Sequence, residues 1–168
     1  MILAVWLAAA AMGSDACSEA LAELPEDLSV AWVAPVGRKV GVGGWVDVFR
    51  TSDLRRWAEE SSEPTLGRLL QDLGRRRSNR DPRTPYVVTV FDVPRDALCR
   101  PLADEHLDRA TTVPPCEKPG SEARKSPCGY TENKVTGQPG LPTFRVRWRD
   151  AAAQGFCVLP AARFLEDQ

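Results

Sequence analysis

The sequence is short of histidine and of long apolar runs, and each shortage excludes a class of function. Its only histidine is His106, so a metal site built from several imidazoles is excluded. No apolar stretch reaches the roughly 20 residues that cross a bilayer as a helix. A G-x-S-x-G nucleophile motif is also missing. We therefore expect no transmembrane helix, no metal and no cofactor.

Positive charge is missing from the start of the chain, where the first basic residue is Arg38. The first fourteen residues carry no charged side chain, and residues 2–11 form an apolar run of the length found in the core of a signal peptide. Small residues up to Ala16 offer cleavage sites. We predict that residues 1–16 are a signal peptide and that 17–168 form one secreted or periplasmic domain. The alternative is a buried N-terminal helix.

The five cysteines lack the C-x-x-C spacing of zinc and redox sites. In an oxidising compartment four of them would pair in one of three connectivities, and closing a 15-residue loop stabilises a fold by about 3 kcal/mol. Buried reduced thiols are the alternative. Cys17, the odd cysteine, follows the apolar run and is a lipidation candidate, although the residues before it make a poor lipobox. The predicted disulfide cysteines are Cys99, Cys116, Cys128 and Cys157.

Strand-like and helix-like patterns alternate along the chain. Residues 28–36 and 45–50 predict a β-hairpin around the glycine-rich stretch 37–44. That stretch is superficially like a phosphate-binding loop, but strand residues follow it where a helix should begin, so we expect no nucleotide site. Further strands are predicted at 85–91, 143–149 and 155–159, and helices at 54–60, 65–73 and 161–167.

Proline and glycine concentrate in residues 111–142, which hold six prolines, four glycines and two cysteines. This composition predicts a long irregular loop that disulfides tie down. Together the patterns predict an α+β fold. We expect one small domain with a mostly antiparallel sheet of about five strands and two or three short helices.

Two arginine clusters are the most suggestive chemical features. Strict alternation from residue 144 places Arg145, Arg147 and Arg149 on one face of a strand, about 7 Å apart. Guanidinium groups in this arrangement suit phosphates or carboxylates. The alternative is a solvated face that carboxylates of a neighbouring strand neutralise. The second cluster is Arg75, Arg76 and Arg77, at the C-terminal end of the helix predicted over 65–73. The alternative interpretation of this cluster is a solvated loop.

Three titratable groups would serve a small hydrolase. Asp47 shares a predicted strand face with Trp45 and Phe49, where desolvation would raise the pKa of its carboxyl group. Glycosidase chemistry would need a second carboxylate opposite it, for which Asp92 is the candidate by position. His106 lies among acidic residues, but adjacent positions seldom converge on one substrate. The alternative for Asp47 is a structural pair with an arginine.

The net charge of the chain does not predict a polyanionic partner, because 22 basic and 23 acidic residues leave a formal charge of −1. We expect an exported, non-enzymatic binding protein that recognises an anionic envelope component or an acidic partner through its arginine-rich strand face. A small periplasmic hydrolase that uses carboxylate or histidine chemistry is the alternative. A third hypothesis is a structural or inhibitory protein that acts through the proline-rich loop.

Overall fold

A six-stranded antiparallel sheet organises the part of the chain that the computed structural model describes, which is residues 26–41, 43–75, 83–101, 113–116, 129–149 and 157–166. The predictions for the signal peptide and for Cys17, Cys128, Arg76, Arg77 and His106 lie outside these residues. The strands are β1 (Asp27–Pro35), β2 (Trp45–Arg50), β3 (Tyr86–Pro94), β4 (Leu98–Cys99), β5 (Tyr130–Glu132), β6 (Pro139–Pro142), β7 (Phe144–Arg147) and β8 (Cys157–Pro160).

The large sheet has the strand order β4-β7-β2-β1-β3-β8, and each pair of neighbours runs antiparallel. β5 and β6 form a separate two-stranded sheet. Three short helices complete the described fold: α1 (Thr51–Glu60), α2 (Leu66–Asp72) and α3 (Ala161–Glu166), with one 3-10 turn at Arg95–Ala97. The predicted α+β class with a mostly antiparallel sheet is confirmed.

Apolar residues cover both faces of the sheet, which explains why β1 reads as a nearly continuous apolar run. On one face, Ala31 and Val33 pack with residues of all three helices. On the other face, Leu28 and Val30 pack with residues of β2, β3 and β7. Trp148 closes this second core, with its ring centroid 4.9 Å from that of Trp32.

The start of α1 differs from the prediction. The polar residues from Thr51 to Asp53 are typical of a helix cap, but the helix already begins at Thr51, and Arg50 at the cap position makes no side-chain capping bond. Thr51 is buried and shares a hydrogen bond with Ser29 of β1. The buried carboxylate of Asp53 instead accepts hydrogen bonds from Arg50 and Arg56. A tertiary contact of Thr51 and local ion pairs of Asp53 therefore occupy the groups that would otherwise cap the helix.

Residues 129–142 of the predicted irregular loop contain the hairpin β5–β6. Asn133 begins its turn: its side-chain oxygen accepts hydrogen bonds from the backbone of Val135 and Thr136. The hairpin is fastened to the end of α2, where the backbone carbonyl of Asp72 accepts a hydrogen bond from the Thr131 hydroxyl at 2.5 Å. Gly140 allows this close approach, since its missing Cβ would lie 2.0 Å from that same carbonyl oxygen.

Two of the four predicted disulfide cysteines are paired with each other in the structure. Cys99 on β4 is bonded to Cys116, 17 residues later in the sequence, and the backbone of Arg100 pairs with residues 114–116 beside it. Cys157, which the sequence also predicts to be paired, has a free and exposed thiol on the edge strand β8.

Replacing Gly140 with alanine should loosen the contact between the hairpin and α2. We expect the free energy of unfolding to fall by about 1–3 kcal/mol, the usual effect of overpacking, because the new methyl group would collide with backbone. Gly67→Ala is the matched control: no atom lies within 4 Å of its added Cβ, and alanine favours the α2 helix by up to about 1 kcal/mol. Urea unfolding of both variants measures the difference, and equal stabilities would contradict this account.

Removing the disulfide by replacing both Cys99 and Cys116 with alanine should lower the free energy of unfolding by about 3 kcal/mol, the chain-entropy value for a loop of this length. Guanidinium denaturation of the double variant and of the wild-type protein without reductant measures the difference, whereas reductant added to the wild-type protein cleaves this bond together with any other disulfide. Cys157→Ser is the control and should leave the denaturation midpoint unchanged. A reductant-insensitive midpoint would show that the Cys99–Cys116 bond does not stabilise the fold.

Candidate functional site

The pairing of β2 with β7 brings two of the predicted ladder arginines beside an aromatic and an acidic residue. In the antiparallel register Trp45 lies opposite Arg147, and Asp47 lies opposite Arg145. The Nε of Arg145 donates a hydrogen bond of 2.7 Å to Oδ1 of Asp47. The guanidinium carbon of Arg147 lies 5.1 Å from the centroid of the Trp45 ring, a cation–π contact.

Arg149 does not continue the ladder. β7 ends at Arg147, and residues 148 and 149 have helical backbone. The strict alternation of a strand therefore stops two residues before the prediction, and Arg149 lies exposed beyond the strand end. Trp148 still lies on the face of Val146, where it packs against Trp32 in the second core. Only Arg145 and Arg147 share the predicted strand face.

Arg75, from the second predicted cluster, reaches the same region of the sheet. α2 ends in a Schellman motif: Gly74, at φ +68°, donates to Gln71, and the backbone of Arg75 donates to Leu70. This turn sends the Arg75 side chain onto β1, where its guanidinium donates a hydrogen bond to the backbone oxygen of Val33.

Asp47 links Arg75 to the ladder. The register of β1 with β2, in which Ala31 lies opposite Phe49, places Val33 alongside Asp47. Burial lowers the pKa of Arg75 from its ordinary value, and the negative charge of Asp47 opposes that shift. Asp47 thus acts on Arg75 through its charge and on Arg145 through a hydrogen bond.

We call Trp45, Asp47, Arg75, Arg145 and Arg147 the basic patch. Its lower layer is sheltered: only 13% of the Arg145 side chain is exposed, and Arg75 is partly buried. Its outer layer consists of Arg147, which is exposed, and Trp45, of which 48% is exposed. Three guanidinium groups and one carboxylate give the patch a formal excess of two positive charges, on a chain whose total charge is close to zero.

Sequence reasoning found part of this arrangement and missed part. Alternation identified the shared face of Arg145 and Arg147, and the hypothesis that Asp47 pairs with an arginine is confirmed. The partnership of Trp45 with Arg147 was missed, because it depends on which strand lies beside β7 and in which register. The local sequence pattern does not predict which strands pair when they lie about a hundred residues apart in the chain.

The hydrolase pair predicted from the sequence is not assembled. Asp92 lies opposite Ser29 on β1, whereas Asp47 lies alongside Val33. Four residues of strand, about 13 Å, separate the two positions along β1, and β1 itself lies between the strands that carry them. Carboxylates in glycosidases are about 5–9.5 Å apart. Asp47 and Asp92 therefore do not form a catalytic pair in this arrangement.

A separate cavity of about 350 Å³ lies between the end of α1 and α2. Its lining includes Trp57, Glu60, Glu63, Arg68 and Asp72. The carboxylate of Asp72 is already occupied there, since it accepts a 2.8 Å hydrogen bond from Trp57, another from Asn133, and contacts Arg68 at 3.5 Å. These contacts join α1 to α2 and to the hairpin, so we assign Asp72 a structural role.

Within the described ranges, no group of three or more histidine, cysteine or acidic residues is arranged to hold a metal ion. In the same part of the chain no helix is long and apolar enough to span a membrane. Comparison of the whole chain with protein-family models, curated proteins and solved structures found no match.

A double-mutant cycle on Asp47→Ala and Arg145→Ala should give a coupling energy of about 0.5–1 kcal/mol, because Arg145 is sheltered while 42% of the Asp47 side chain is exposed. Chemical denaturation of the four proteins measures it. A cycle between Asp47→Ala and Arg55→Ala, on the exposed face of α1, is the control and should give no coupling. A zero value for the first cycle as well would remove Asp47 as the organiser of the patch.

Proposed function

We propose that this protein is an exported, non-enzymatic binding protein, secreted or periplasmic, that recognises an anionic component of the cell envelope through the basic patch. The observation that carries the proposal is that Asp47 hydrogen-bonds Arg145 and acts electrostatically on Arg75, while Arg147 shares the strand face of Arg145. These arginines come from two separate segments of the sequence, so their convergence is a property of the fold.

The chemistry of the patch suits a carboxylate or a phosphate. Arg147 is exposed and its planar guanidinium can bind two oxygens of such a group at once. Its stacking on Trp45 restricts the side chain before a ligand arrives, which lowers the entropy lost on binding. Arg75 and Arg145 lie beneath and add positive potential from sheltered positions, where solvent and salt screen them less.

Export is supported by two independent features. The uncharged apolar start of the chain has the length of a signal-peptide core, and the Cys99–Cys116 disulfide is of a kind that persists in oxidising compartments. An envelope polymer is a partner that such a compartment would present.

The test is retention of the purified protein on two columns, one of immobilised polygalacturonate and one of immobilised polyphosphate, eluted with a salt gradient. Arg147→Glu should elute at distinctly lower salt than wild type on at least one column, equivalent to about a tenfold loss of affinity, or about 1.4 kcal/mol. Reversing this charge removes the exposed guanidinium and adds repulsion at the same position.

Arg55→Glu is the matched control. It makes the same change in net charge at an exposed position on α1, which begins where β2 ends and so lies away from Trp45 at the other end of that strand. It should elute close to wild type. If the two variants elute together, retention follows net charge alone and the proposed site is wrong.

A further inference from the structure

Within the basic patch, one group is unsuited to a purely anionic ligand. Asp47 contributes a carboxylate, and 42% of its side chain is exposed. Arg145 occupies its Oδ1, and no other residue in the described part of the chain hydrogen-bonds its Oδ2. An exposed carboxylate oxygen repels a phosphate or a second carboxylate, but it accepts a hydrogen bond from a hydroxyl group.

Trp45 adds a second element that a simple anion would not use. Nearly half of the residue is exposed, although a tryptophan is usually well buried. Arg147 contacts its ring, and the exposed remainder offers a flat apolar surface with an indole N–H at its edge. Such a surface packs against the C–H groups of a ring-shaped ligand.

The spacing of these groups is set by the sheet. Trp45 and Asp47 are two residues apart on one face of β2, about 7 Å, and their partners Arg147 and Arg145 lie across from them on β7. The patch thus presents an apolar platform, a hydroxyl acceptor and an anion-binding guanidinium within the footprint of one or two sugar rings.

We infer that the anionic ligand is an acidic sugar, a pyranose ring that carries both a carboxylate and free hydroxyl groups, as in a polyuronate. Its carboxylate binds Arg147, one hydroxyl donates to Oδ2 of Asp47, and its C–H face packs on Trp45. This inference rests on the proposed function and makes it specific. A polyphosphate supplies neither the hydroxyl donor nor the C–H face.

The experiment compares the affinity of hexagalacturonate with that of a hexameric inorganic polyphosphate, by titration calorimetry at fixed ionic strength. Wild type should bind hexagalacturonate more tightly. Asp47→Ala should lower the affinity for hexagalacturonate about tenfold, because it removes an acceptor for a sugar hydroxyl. The same substitution should raise the affinity for polyphosphate, because it removes a repulsive charge. Trp45→Ala should lower the affinity for hexagalacturonate by a larger factor than the affinity for polyphosphate.

Failure of this inference can be told apart from failure of the proposed function. If Asp47→Ala strengthens both ligands while Arg147→Glu weakens both, the patch binds anions without reading a sugar, and only the inference is overturned. A preference of the wild type for polyphosphate has the same meaning. If Arg147→Glu changes neither affinity, the proposed function falls and the inference falls with it. Thermal unfolding of each variant verifies that the protein tested is folded.

Discussion

The fold depends on one acidic residue at the end of α2. The side chain of Asp72 accepts hydrogen bonds from Trp57 of α1 and from Asn133 in the turn of the β5–β6 hairpin, while its backbone oxygen accepts from Thr131. A carboxylate that is only 14% exposed is costly unless such donors surround it. Because two donors come from the hairpin, the residue that ends α2 also holds the hairpin in place.

That junction also determines where the basic patch forms. Two residues after Asp72, Gly74 takes a left-handed conformation and its Cα lies against the backbone of Glu132 in the hairpin. The turn redirects the chain so that Arg75 leaves α2 towards β1. A residue of the patch is thus positioned by contacts on a different element, and the patch could not be assembled from β2 and β7 alone.

The opposite side of the sheet contains another sheltered arginine, with a different role. Arg100 is 2% exposed, and its guanidinium carbon lies 5.0 Å from the centroid of the Phe144 ring. Burial lowers its pKa to about 10, and the nearby Tyr130 partly opposes this. Gly129 at φ +72° leaves room for it, since an added Cβ would lie 2.6 Å from its Nη2. Arg100 therefore packs the segment beside the disulfide and presents no charge to a ligand.

The sequence predicted the pieces of this protein better than their arrangement. The hairpin of β1 and β2, the helix after Thr65 and the alternating β7 strand follow from local pattern, because each rests on periodicity or on turn chemistry within a few residues. The β5–β6 hairpin could not be predicted from its proline- and glycine-rich segment, because contacts with α2 hold it in place. Likewise, local pattern did not predict that β7 ends at Arg147, which leaves Arg149 outside the ladder.

The site was predictable to the same extent. Alternation alone identifies which arginines share a face, but the strength of the local positive field depends on the carboxylate of Asp47, which only the register of β2 against β7 brings to Arg145. A one-residue slip of that register would turn every side chain of the strand to the other face. Apolar residues such as Val46 and Val146 lie opposite each other in the core on that other face, and they exclude the slip.

The position of the patch along β2 explains how a binding surface and a core coexist on one sheet face. On this face the strand passes from buried Phe49 through half-buried Asp47 to exposed Trp45. The polar groups therefore sit on backbone that the neighbouring core already holds in place, and side chains on strands keep their geometry better than side chains on loops. Because the total charge is near zero and salt screens charges beyond about 8–10 Å, an anion at the patch is attracted mainly by the charges of the patch itself. The proposed recognition therefore relies on the fixed geometry of these few groups, and the carboxylate of Asp47 among three arginines is what distinguishes the proposed ligand from a simple anion.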